Sequence, residues 1–575
     1  MKFKQKFILL ALLACFFTQG GFAAQSSSQK DTKQASKESH DFLISKNLDI
    51  FNSVYKELDL YYVDTLNPEK TIKGGIDNML DMTDPYTTYF PESEMSDLKF
   101  MTTGAYAGVG AVISQKDKKV FITEIYQGMP AYKAGLRAGD VFVSVDGNST
   151  DGKSTSDVSS MLRGVPQTTV KVVVSRLGVK NNLKFDVVRE NVVIDPIPYY
   201  GMLSGNVGYI NITSFTDLSY SSFSKAFSSL KSKGMTSLVI DLRSNPGGLL
   251  SEAVKILNMF VSRGSMLVYT KGKEKKWDSE YRATDAPVDT NMPIVVLVNR
   301  NSASASEIVS GALQDLDRAV ILGERTYGKG LVQTTRDIPY GGSLKVTIAK
   351  YYIPSGRCIQ AIDYAKRDED GLVKRIPDSL THEFKTADGR IVRDGCGISP
   401  DVTMEDAKNA PITFYLYSKN TIFDYVTDFQ SKHPSIGKLS DFQFNDYDGF
   451  KAYVKKSGFT YKTKSEDELT ALKDLAKTEG YYERSKAAFD SLEKKLTPDL
   501  AIDLDSNKAE INKFISLEIA RRYYYQSGVV EESLKTDKQA KAAVELLGDK
   551  ARYAKLLSPS NVSSSKPADK KGAKE

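Results

Sequence analysis

The hydrophobic pattern changes several times along the chain, and each change predicts a different kind of structure. After a polar stretch, apolar side chains recur at three-to-four spacing over residues 42–81, which is typical of helices. Between residues 104 and 189, short β-branched runs alternate with glycine and polar turns, and one helix is expected over 157–163. The pattern therefore predicts a helical unit followed by a small β-rich unit.

Strand and helix patterns alternate in the next part of the chain. Strands are predicted at 207–212, 238–242, 294–298 and 320–322, and helices at 220–233, 249–260 and 305–315. The strands are nearly continuous apolar runs, as expected where both faces of a sheet are covered. We therefore predict an α/β core, followed beyond residue 401 by a helical accessory region rich in charged and aromatic residues.

The first residues have the layout of a secretory signal. Three lysines precede an apolar run over residues 7–17, and small residues follow at Ala23 and Ala24. This run is shorter than the roughly 20 residues that a membrane-spanning helix needs. Leu12-Leu13-Ala14-Cys15 also resembles a lipobox, so lipidation at Cys15 near a membrane is the alternative to ordinary cleavage. Both alternatives predict an exported protein of the periplasm or cell envelope.

The net charge and the distribution of basic residues indicate whether the chain is suited to bind nucleic acid. The chain has 78 Lys and Arg against 72 Asp and Glu, a net charge of +6. No basic block of the predicted folded part is interleaved with aromatic residues, so nucleic-acid binding is not expected. The lysine-rich end follows a serine-rich stretch and predicts a disordered tail.

The number and spacing of histidines and cysteines limit the kinds of metal site, catalytic site and disulfide that the chain can form. The three histidines, His40, His382 and His433, are too scattered for a His-Glu-x-x-His zinc site and are poorly placed for a Ser-His-Asp triad. We expect no metal and no cofactor. Cys358 and Cys396 flank a polar insertion, where they either form a disulfide or stay as buried thiols.

A serine nucleophile without histidine needs another base, and a buried lysine with a lowered pKa can serve. Ser302, Ser304 and Ser306 lie between a predicted buried strand and a predicted helix, where free helix amides would face a developing oxyanion. Lys329 stands between two glycines, which permit close backbone approach. The residues alone leave the choice among the three serines open.

Three sequence blocks, at 241–248, 302–307 and 328–333, resemble the signature blocks of the C-terminal processing peptidases, the tail-specific proteases of family S41. The resemblance covers roughly residues 40–402. It implies a Clp-protease/crotonase-like α/β core with Ser304 as nucleophile, Lys329 as general base and Gln333 orienting the lysine amine. It also implies an oxyanion hole formed by Gly247, Gly248 and the amide of Ala305.

The β-rich unit resembles a PDZ domain, because residues 106–112 match its carboxylate-binding loop and residues 129–140 its central turn. The resemblance implies that successive backbone amides capture a chain-terminal carboxylate. The implied peptide-binding residues are Tyr106, Ala107, Gly108, Val109 and Gly110. If the PDZ unit docks over the active-site cleft, Arg163 at the end of the predicted PDZ helix is placed to contact the catalytic domain, so that peptide binding would release or align the dyad. The alternative is a PDZ fold that serves only as a structural clamp.

These observations predict a multidomain α/β protein, divided into a signal peptide (1–24), a linker (25–40), an N-terminal helical domain (41–100), a PDZ domain (104–190), a catalytic domain (191–402, with a polar insertion at 359–395), a helical C-terminal domain (403–557) and a tail (558–575). The leading hypothesis is an exported endopeptidase that acts on proteins or peptides with apolar C-termini, alone, as a homo-oligomer or with an adaptor. A non-catalytic PDZ-bearing scaffold is the alternative. An acyl-CoA enzyme of the crotonase superfamily would fit the core but neither the PDZ unit nor export.

Overall fold

The structure is a computed structural model that describes residues 39–368, 371–406 and 408–559. The expected signal peptide and Cys15 lie outside the described residues, as do most of the linker and nearly all of the tail. The described residues divide into two compact units, one up to residue 75 and one from residue 76 onward. Helix α1 (His40–Tyr61) lies in the first unit and begins at Ser39, whose hydroxyl accepts the Phe42 N–H at 3.2 Å. Helix α2 (Pro68–Asp81) follows it along the chain.

The second unit opens with a short strand and a helix, β1 (Thr88–Phe90) and α3 (Met95–Thr103). The β-rich module then contains β2 (Ala105–Gly108), β3 (Ala111–Lys116), β4 (Lys119–Ile125), α4 (Pro130–Ala134), β5 (Val141–Val145), β6 (Asn148–Ser149), α5 (Thr155–Leu162), β7 (Thr169–Ser175), β8 (Leu183–Val188) and β9 (Glu190–Val193). Its main sheet has the order β3-β4-β5-β7-β8, while β2 pairs with β9. The apolar runs of the sequence are these strands, and their inward side chains form a separate core with α5.

The α/β core contains β10 (Tyr199–Met202), β11 (Val207–Asn211), α6 (Ser219–Ser232), β12 (Ser237–Asp241), α7 (Leu250–Asn258), β13 (Met266–Gly272), β14 (Ser279–Arg282), β15 (Ile294–Val298), α8 (Ala305–Asp315) and β16 (Val320–Gly323). Strands β11, β12, β15 and β16 are parallel neighbours, with β10 antiparallel at one edge. The predicted α/β fold class is confirmed. Each parallel strand is buried along its full length, which explains the unbroken apolar runs.

The next elements are β17 (Leu331–Ile338), β18 (Gly342–Tyr352), β19 (Ile362–Arg367), β20 (Val373–Arg375), β21 (Glu383–Lys385), β22 (Ile391–Arg393) and β23 (Val402–Thr403). Strand β23 extends the parallel sheet beside β16, and β1, β18, β13, β14 and β17 form a second, antiparallel sheet. Strands β19 to β22 form two hairpins in the polar insertion. Cys358 and Cys396 are both free thiols, so the disulfide alternative is wrong for this structure.

The C-terminal region is helical: α9 (Pro411–Ser418), α10 (Thr421–Lys432), α11 (Tyr447–Lys456), α12 (Lys464–Thr478), α13 (Tyr482–Leu496), α14 (Leu500–Ser506), α15 (Lys508–Leu534), α16 (Lys538–Gly548) and α17 (Lys550–Leu557). Most of these helices share an aromatic-rich core of their own. The region also contacts the β-rich module, where Arg521 pairs with Glu124 at 3.1 Å. None of the helices within the described ranges combines the length and apolar character needed to cross a membrane.

The last helices of the C-terminal region pack on the α/β core. Helices α6, α7 and α8 cover one face of the parallel sheet, and α16 covers the other through Ala540, Ala543 and Leu546. Arg243, just after β12, links the sheet to the α16 layer by donating to Asp537 at 2.6 Å and to Gln539 at 3.1 Å. A sheet of unbroken apolar strands needs cover on both faces, and the end of the chain provides the second layer.

Candidate active site

Ser304 lies at the turn between β15 and α8, immediately before the first residue of the helix. Its backbone has φ 55° and ψ −115°, a conformation that non-glycine residues rarely adopt. The turn places Ser304 where the first amides of α8 lack helical partners, which suits stabilisation of an oxyanion. Strain of this kind persists only where the surrounding structure maintains it, and it is frequent at functional sites.

The two neighbouring serines have structural roles. Ser302 and Ser306 are both 0% exposed. The Ser302 hydroxyl donates to the Leu242 carbonyl at 2.8 Å, and the Ser306 hydroxyl donates to the Asn245 carbonyl at 3.0 Å. Of the three serines in this loop, Ser304 is the one that is only partly buried, which favours it as the nucleophile.

The glycine pair packs directly against the serine turn. Gly247 has φ +102°, and a Cβ atom there would lie 2.6 Å from the Ser304 Cβ and 2.9 Å from the Ala305 nitrogen. Gly248 has φ +143° and would place a Cβ atom 2.1 Å from the Phe215 carbonyl oxygen. Only glycine fits at either position, and this close approach sets their backbone beside Ser304.

One expected oxyanion donor is already engaged in this structure. The Gly247 N–H donates to Asn245 Oδ1 at 2.8 Å, because the asparagine side chain folds back over its own turn. Within the described chain, the N–H groups of Gly248 and Ala305 have no hydrogen-bond acceptor. The arrangement therefore leaves these two amides, and not that of Gly247, as available donors.

Asn245 joins the two loops, a role that sequence reasoning missed. Its side-chain amide donates to the Ile212 carbonyl at 2.9 Å, and its own carbonyl accepts the Ala303 N–H at 3.0 Å. The residue is fully buried. Its place between a strand and Pro-Gly-Gly reads as an ordinary turn residue, so nothing in the sequence separates this role from a common turn.

Glu307 is the second residue whose role was missed. Its carboxylate is 0% exposed, and one oxygen accepts the Thr326 hydroxyl at 2.5 Å and the Gly328 N–H at 2.7 Å. The other oxygen accepts the N–H groups of Ser304 and Lys329, each at 2.9 Å. Burial raises the pKa of Glu307 to about 7, although these hydrogen bonds oppose the rise. A single carboxylate therefore joins the serine loop to the lysine loop.

The position of Glu307 carried a signal that could have identified it. It lies three residues after Ser304 at the start of α8, the spacing of a capping box. From the sequence alone, an acid in the first turn is equally explained by a favourable interaction with the helix dipole. What the spacing does not reveal is that the same carboxylate reaches the segment around Lys329.

Lys329 approaches the site on a loop that two glycines pack tightly. A Cβ atom at Gly328 would lie 2.2 Å from the Ala361 Cβ, and one at Gly330 would lie 2.5 Å from the Gln360 Cβ. The pKa of Lys329 is lowered to about 8, chiefly by burial and next by the charge of Lys345. Such an amine is partly neutral near neutral pH, which a general base requires.

The lysine amine does not contact the serine in this structure. Among the described residues no hydrogen bond joins Lys329 to Ser304, and the Lys329 Nζ lies 4.3 Å from the centroid of the Tyr86 ring. Gln333, expected to orient the amine, donates instead to the Thr347 hydroxyl at 3.1 Å across the β17–β18 pair. A β-bulge between Val332 and Gln333 shifts the pairing register at this point.

Three of the five expected peptide-binding residues line a groove beside α5. A cavity of about 270 Å³ is bordered by Tyr106, Gly108 and Val109 together with Ile113 and Leu162. Ala107 lies on the same edge strand, and Gly110 follows in the loop with φ +75°. Burial raises the pKa of Tyr106, while the nearby backbone amides of Gly110 and Ala111 oppose the rise.

Among the described residues, the expected contact of Arg163 with the catalytic domain is absent from this structure, and its regulatory role stays a prediction. Its guanidinium donates to Asp97 at 2.8 Å and to Ser96 at 3.1 Å, and it stands 6.0 Å from the Tyr106 ring centroid. Both partners lie in α3, ahead of the β-rich module, and not in the catalytic core. The backbone at Arg163 is extended where α5 ends, and the nearest acidic side chain it reaches is on α3.

Models of three protein families match separate parts of the chain. Residues 206–367 match peptidase family S41, residues 121–176 match a PDZ domain, and residues 412–547 match the probable PDZ-protease C-terminal helical domain. The carboxy-terminal-processing protease of Bartonella bacilliformis is 33% identical over 321 residues, which are 55% of this chain and 73% of that protein. CtpA of Bacillus subtilis is 31% identical over 341 residues, 59% of this chain and 72% of that protein.

A solved structure, the photosystem II D1 C-terminal processing protease, is 32% identical, covers 61% of this chain and 86% of its own, and has a TM-score of 0.34. The α/β core, the PDZ domain and the helical C-terminal domain together define a serine peptidase. The chain belongs to the carboxy-terminal-processing proteases of peptidase family S41.

Proposed function

We propose that the chain is an exported endopeptidase in which Ser304 attacks the peptide carbonyl and Lys329 is the general base. The observation that carries this proposal is the Glu307 carboxylate, which binds the backbone amides of both residues. It holds the two loops as one unit, although they are 25 residues apart (329 minus 304). No other partly buried serine of the nucleophile loop competes for the role.

The chemistry follows from these groups. The Ser304 oxygen attacks the carbonyl carbon while its proton passes to the neutral Lys329 amine. The amides of Gly248 and Ala305 stabilise the negative charge on the carbonyl oxygen. Lys329 then gives the proton to the leaving amine, and water hydrolyses the acyl-enzyme with the lysine acting again as base. The amine must leave the Tyr86 ring for the first step, because the general base has to lie within hydrogen-bond reach of the hydroxyl.

The test is peptide cleavage by the mature full-length protein and its Ser304→Ala and Lys329→Ala variants. Ser228→Ala and Lys225→Ala, both exposed on α6, are matched controls. We expect the site variants to lose cleavage by at least about three orders of magnitude, with unchanged melting temperatures. Cleavage retained by either purified site variant would refute the dyad.

We also propose that the PDZ domain selects substrates by an apolar C-terminus. The groove between β3 and α5 is lined largely by apolar side chains, and backbone amides stand at its loop end. A peptide carboxylate would bind at the amides of Gly110 and Ala111, close to the Tyr106 hydroxyl. In a Ser304→Ala background, an apolar-tailed peptide should bind at least about tenfold tighter as the free acid than as the C-terminal amide. Equal affinity of the two forms would show that carboxylate capture does not occur.

Export is the third part of the proposal and rests on the signal-like residues 1–24. Cell fractionation with mass spectrometry of the mature N-terminus tests it. We expect the mature chain outside the cytosol, beginning near Gln25. A lipid-modified Cys15 would support export by the lipoprotein route, and an intact N-terminus in the cytosol would refute export.

A further inference from the structure

The Lys329 ammonium is held by an aromatic ring in this structure. Its Nζ lies 4.3 Å from the centroid of the Tyr86 ring, within the range of a cation–π interaction. The described residues offer that amine no hydrogen-bond acceptor. A buried ammonium without an acceptor is unfavourable, so the ring face is an important stabilising neighbour.

The ring itself is fixed from both ends. The Tyr86 hydroxyl lies 3.2 Å from the Tyr327 hydroxyl and 3.0 Å from the Tyr364 hydroxyl, and the Tyr364 ring packs edge-on at 5.8 Å. Its backbone N–H donates to the buried Asp84 carboxylate at 2.8 Å. Burial and these phenols raise the pKa of Tyr86 far above its ordinary value, so the ring is a neutral phenol at any working pH.

The turn that carries Tyr86 is also anchored to the antiparallel sheet. Asp84 accepts the Thr87 N–H at 2.9 Å and the Thr87 hydroxyl at 3.2 Å. The Thr87 hydroxyl in turn accepts the Thr347 N–H at 3.2 Å, and Thr347 is the partner of Gln333. Gln333, which was expected to orient the Lys329 amine, is therefore linked through Thr347 to the turn that carries Tyr86.

We propose that Tyr86 is a positioning residue that holds protonated Lys329 on its ring face, away from Ser304, so that deprotonation releases the general base. This inference rests on the proposed role of Lys329. A ring face attracts the ammonium and not the neutral amine. Tyr86 therefore acts on the resting enzyme, and its influence disappears once the amine has lost its proton.

The other charged groups that face the amine are few. Lys345 lowers the pKa of Lys329, while Asp84 and Glu307 raise it, and burial outweighs these charges. Tyr327, Tyr351 and Tyr364 are phenols close to the site, and burial raises the pKa of Tyr351 and Tyr364. Replacement of the Tyr86 ring by an aliphatic side chain keeps all of these groups. It removes the attraction for the ammonium together with the hydroxyl contacts to Tyr327 and Tyr364.

The test is the pH dependence of Ser304 labelling by a fluorophosphonate, which needs no peptide substrate. In this reaction the serine oxygen bonds to phosphorus, fluoride leaves and the serine proton passes to Lys329. For the wild type we expect the rate to rise with pH, with a midpoint at the Lys329 pKa of about 8. For Tyr86→Leu we expect a midpoint about one pH unit lower, a rate about fivefold higher at pH 7 and a high-pH plateau within about twofold of wild type.

Two variants distinguish the effect of the Tyr86 ring from that of its hydroxyl and from the nonspecific effect of replacing a tyrosine. Tyr86→Phe keeps the ring face, so its midpoint should stay within about 0.3 pH units of wild type. Tyr340→Leu changes a tyrosine that is 96% exposed and should change nothing. If Tyr86→Leu fails a melting control, Tyr86→Met takes its place with the same expectation.

The outcomes are distinct. A midpoint that does not move down in Tyr86→Leu, or a plateau that falls more than about tenfold, would overturn the role of Tyr86. Lys329→Ala provides the separate check on the dyad. If that variant keeps the wild-type labelling profile, the titration does not belong to Lys329 and the proposed base is wrong. If Lys329→Ala abolishes labelling while Tyr86→Leu matches wild type, only the Tyr86 inference fails.

Discussion

Replacement of Glu307 by glutamine tests whether one carboxylate joins the two catalytic loops. The Glu307 oxygens accept four donors, two on each oxygen. Glutamine offers one oxygen, and its NH₂ group would face two donors that it cannot satisfy. We therefore expect Glu307→Gln to separate either the Ser304 loop or the Lys329 loop from its anchor.

The magnitude comes from two opposing effects. Loss of two hydrogen bonds to a charged acceptor costs about 3 to 6 kcal/mol. Burial raises the pKa of Glu307 from the ordinary 4.5 to about 7, so relief of that buried charge returns about 3 kcal/mol at neutral pH. The free energy of unfolding should thus fall by only about 0 to 3 kcal/mol. By contrast, kcat/KM should fall at least about a hundredfold, because the backbone geometry at both catalytic residues loosens.

The assay combines peptide cleavage with chemical denaturation between pH 5 and pH 8. Because the folded-state pKa of Glu307 lies above its unfolded value, its contribution to stability is full below about pH 4.5 and is lost as pH rises through 7. The free energy of unfolding of Glu307→Gln should therefore increase relative to that of the wild type as pH rises. Glu252→Gln is the control, since Glu252 is 2% exposed and binds the Tyr220 N–H away from the site. Wild-type kcat/KM in Glu307→Gln, with a pH-independent stability difference, would refute the reasoning.

Three further predictions concern other parts of the site and core. Gly247→Ala should lower kcat/KM at least about a hundredfold, because the added Cβ would meet Ser304 at 2.6 Å; Gly205→Ala, also at positive φ but with no atom within 4 Å, should keep it. Asp537→Ala should lower the free energy of unfolding in denaturant titrations by about 3 kcal/mol, because it leaves the buried Arg243 with one carboxylate fewer, and unchanged stability would contradict this. In wild-type enzyme, kcat/KM should rise with pH around 8, because only the neutral Lys329 amine accepts a proton; a flat profile from pH 6 to pH 9 would contradict it.

Local patterns were sufficient to predict the α/β core. The strand at 294–298 and the helix at 305–315 were placed at the bounds that β15 and α8 have. Continuous apolar strands also predicted that both faces of the sheet are covered. They could not identify the second cover, because α16 lies more than 200 residues beyond the strands it packs on and has an ordinary helical pattern.

The candidate site was predictable where a residue type limits the chemistry. Scattered histidines pointed to a lysine base, and the strand-to-helix turn placed the serine. Gln333 was misplaced because its direction depends on a β-bulge, which spacing does not reveal. Tyr86 precedes Ser304 by 218 residues (304 minus 86), and long-range contacts such as the pairing of β1 with β18 bring its turn to Lys329. The contact of Arg163 with Asp97 was not predictable, because Asp97 lies in a helix of which the sequence pattern gives no separate indication.

Mass-spectrometric mapping of the fluorophosphonate adduct tests the central claim most directly. The mature full-length protein and its Lys329→Ala variant are labelled at pH 9 and digested, and the modified serine is located. We predict a single adduct on Ser304 in the wild type and a labelling rate at least about a thousandfold lower in Lys329→Ala. An adduct on another serine, or equal labelling of Ser304 without the lysine, would contradict the Ser304–Lys329 dyad.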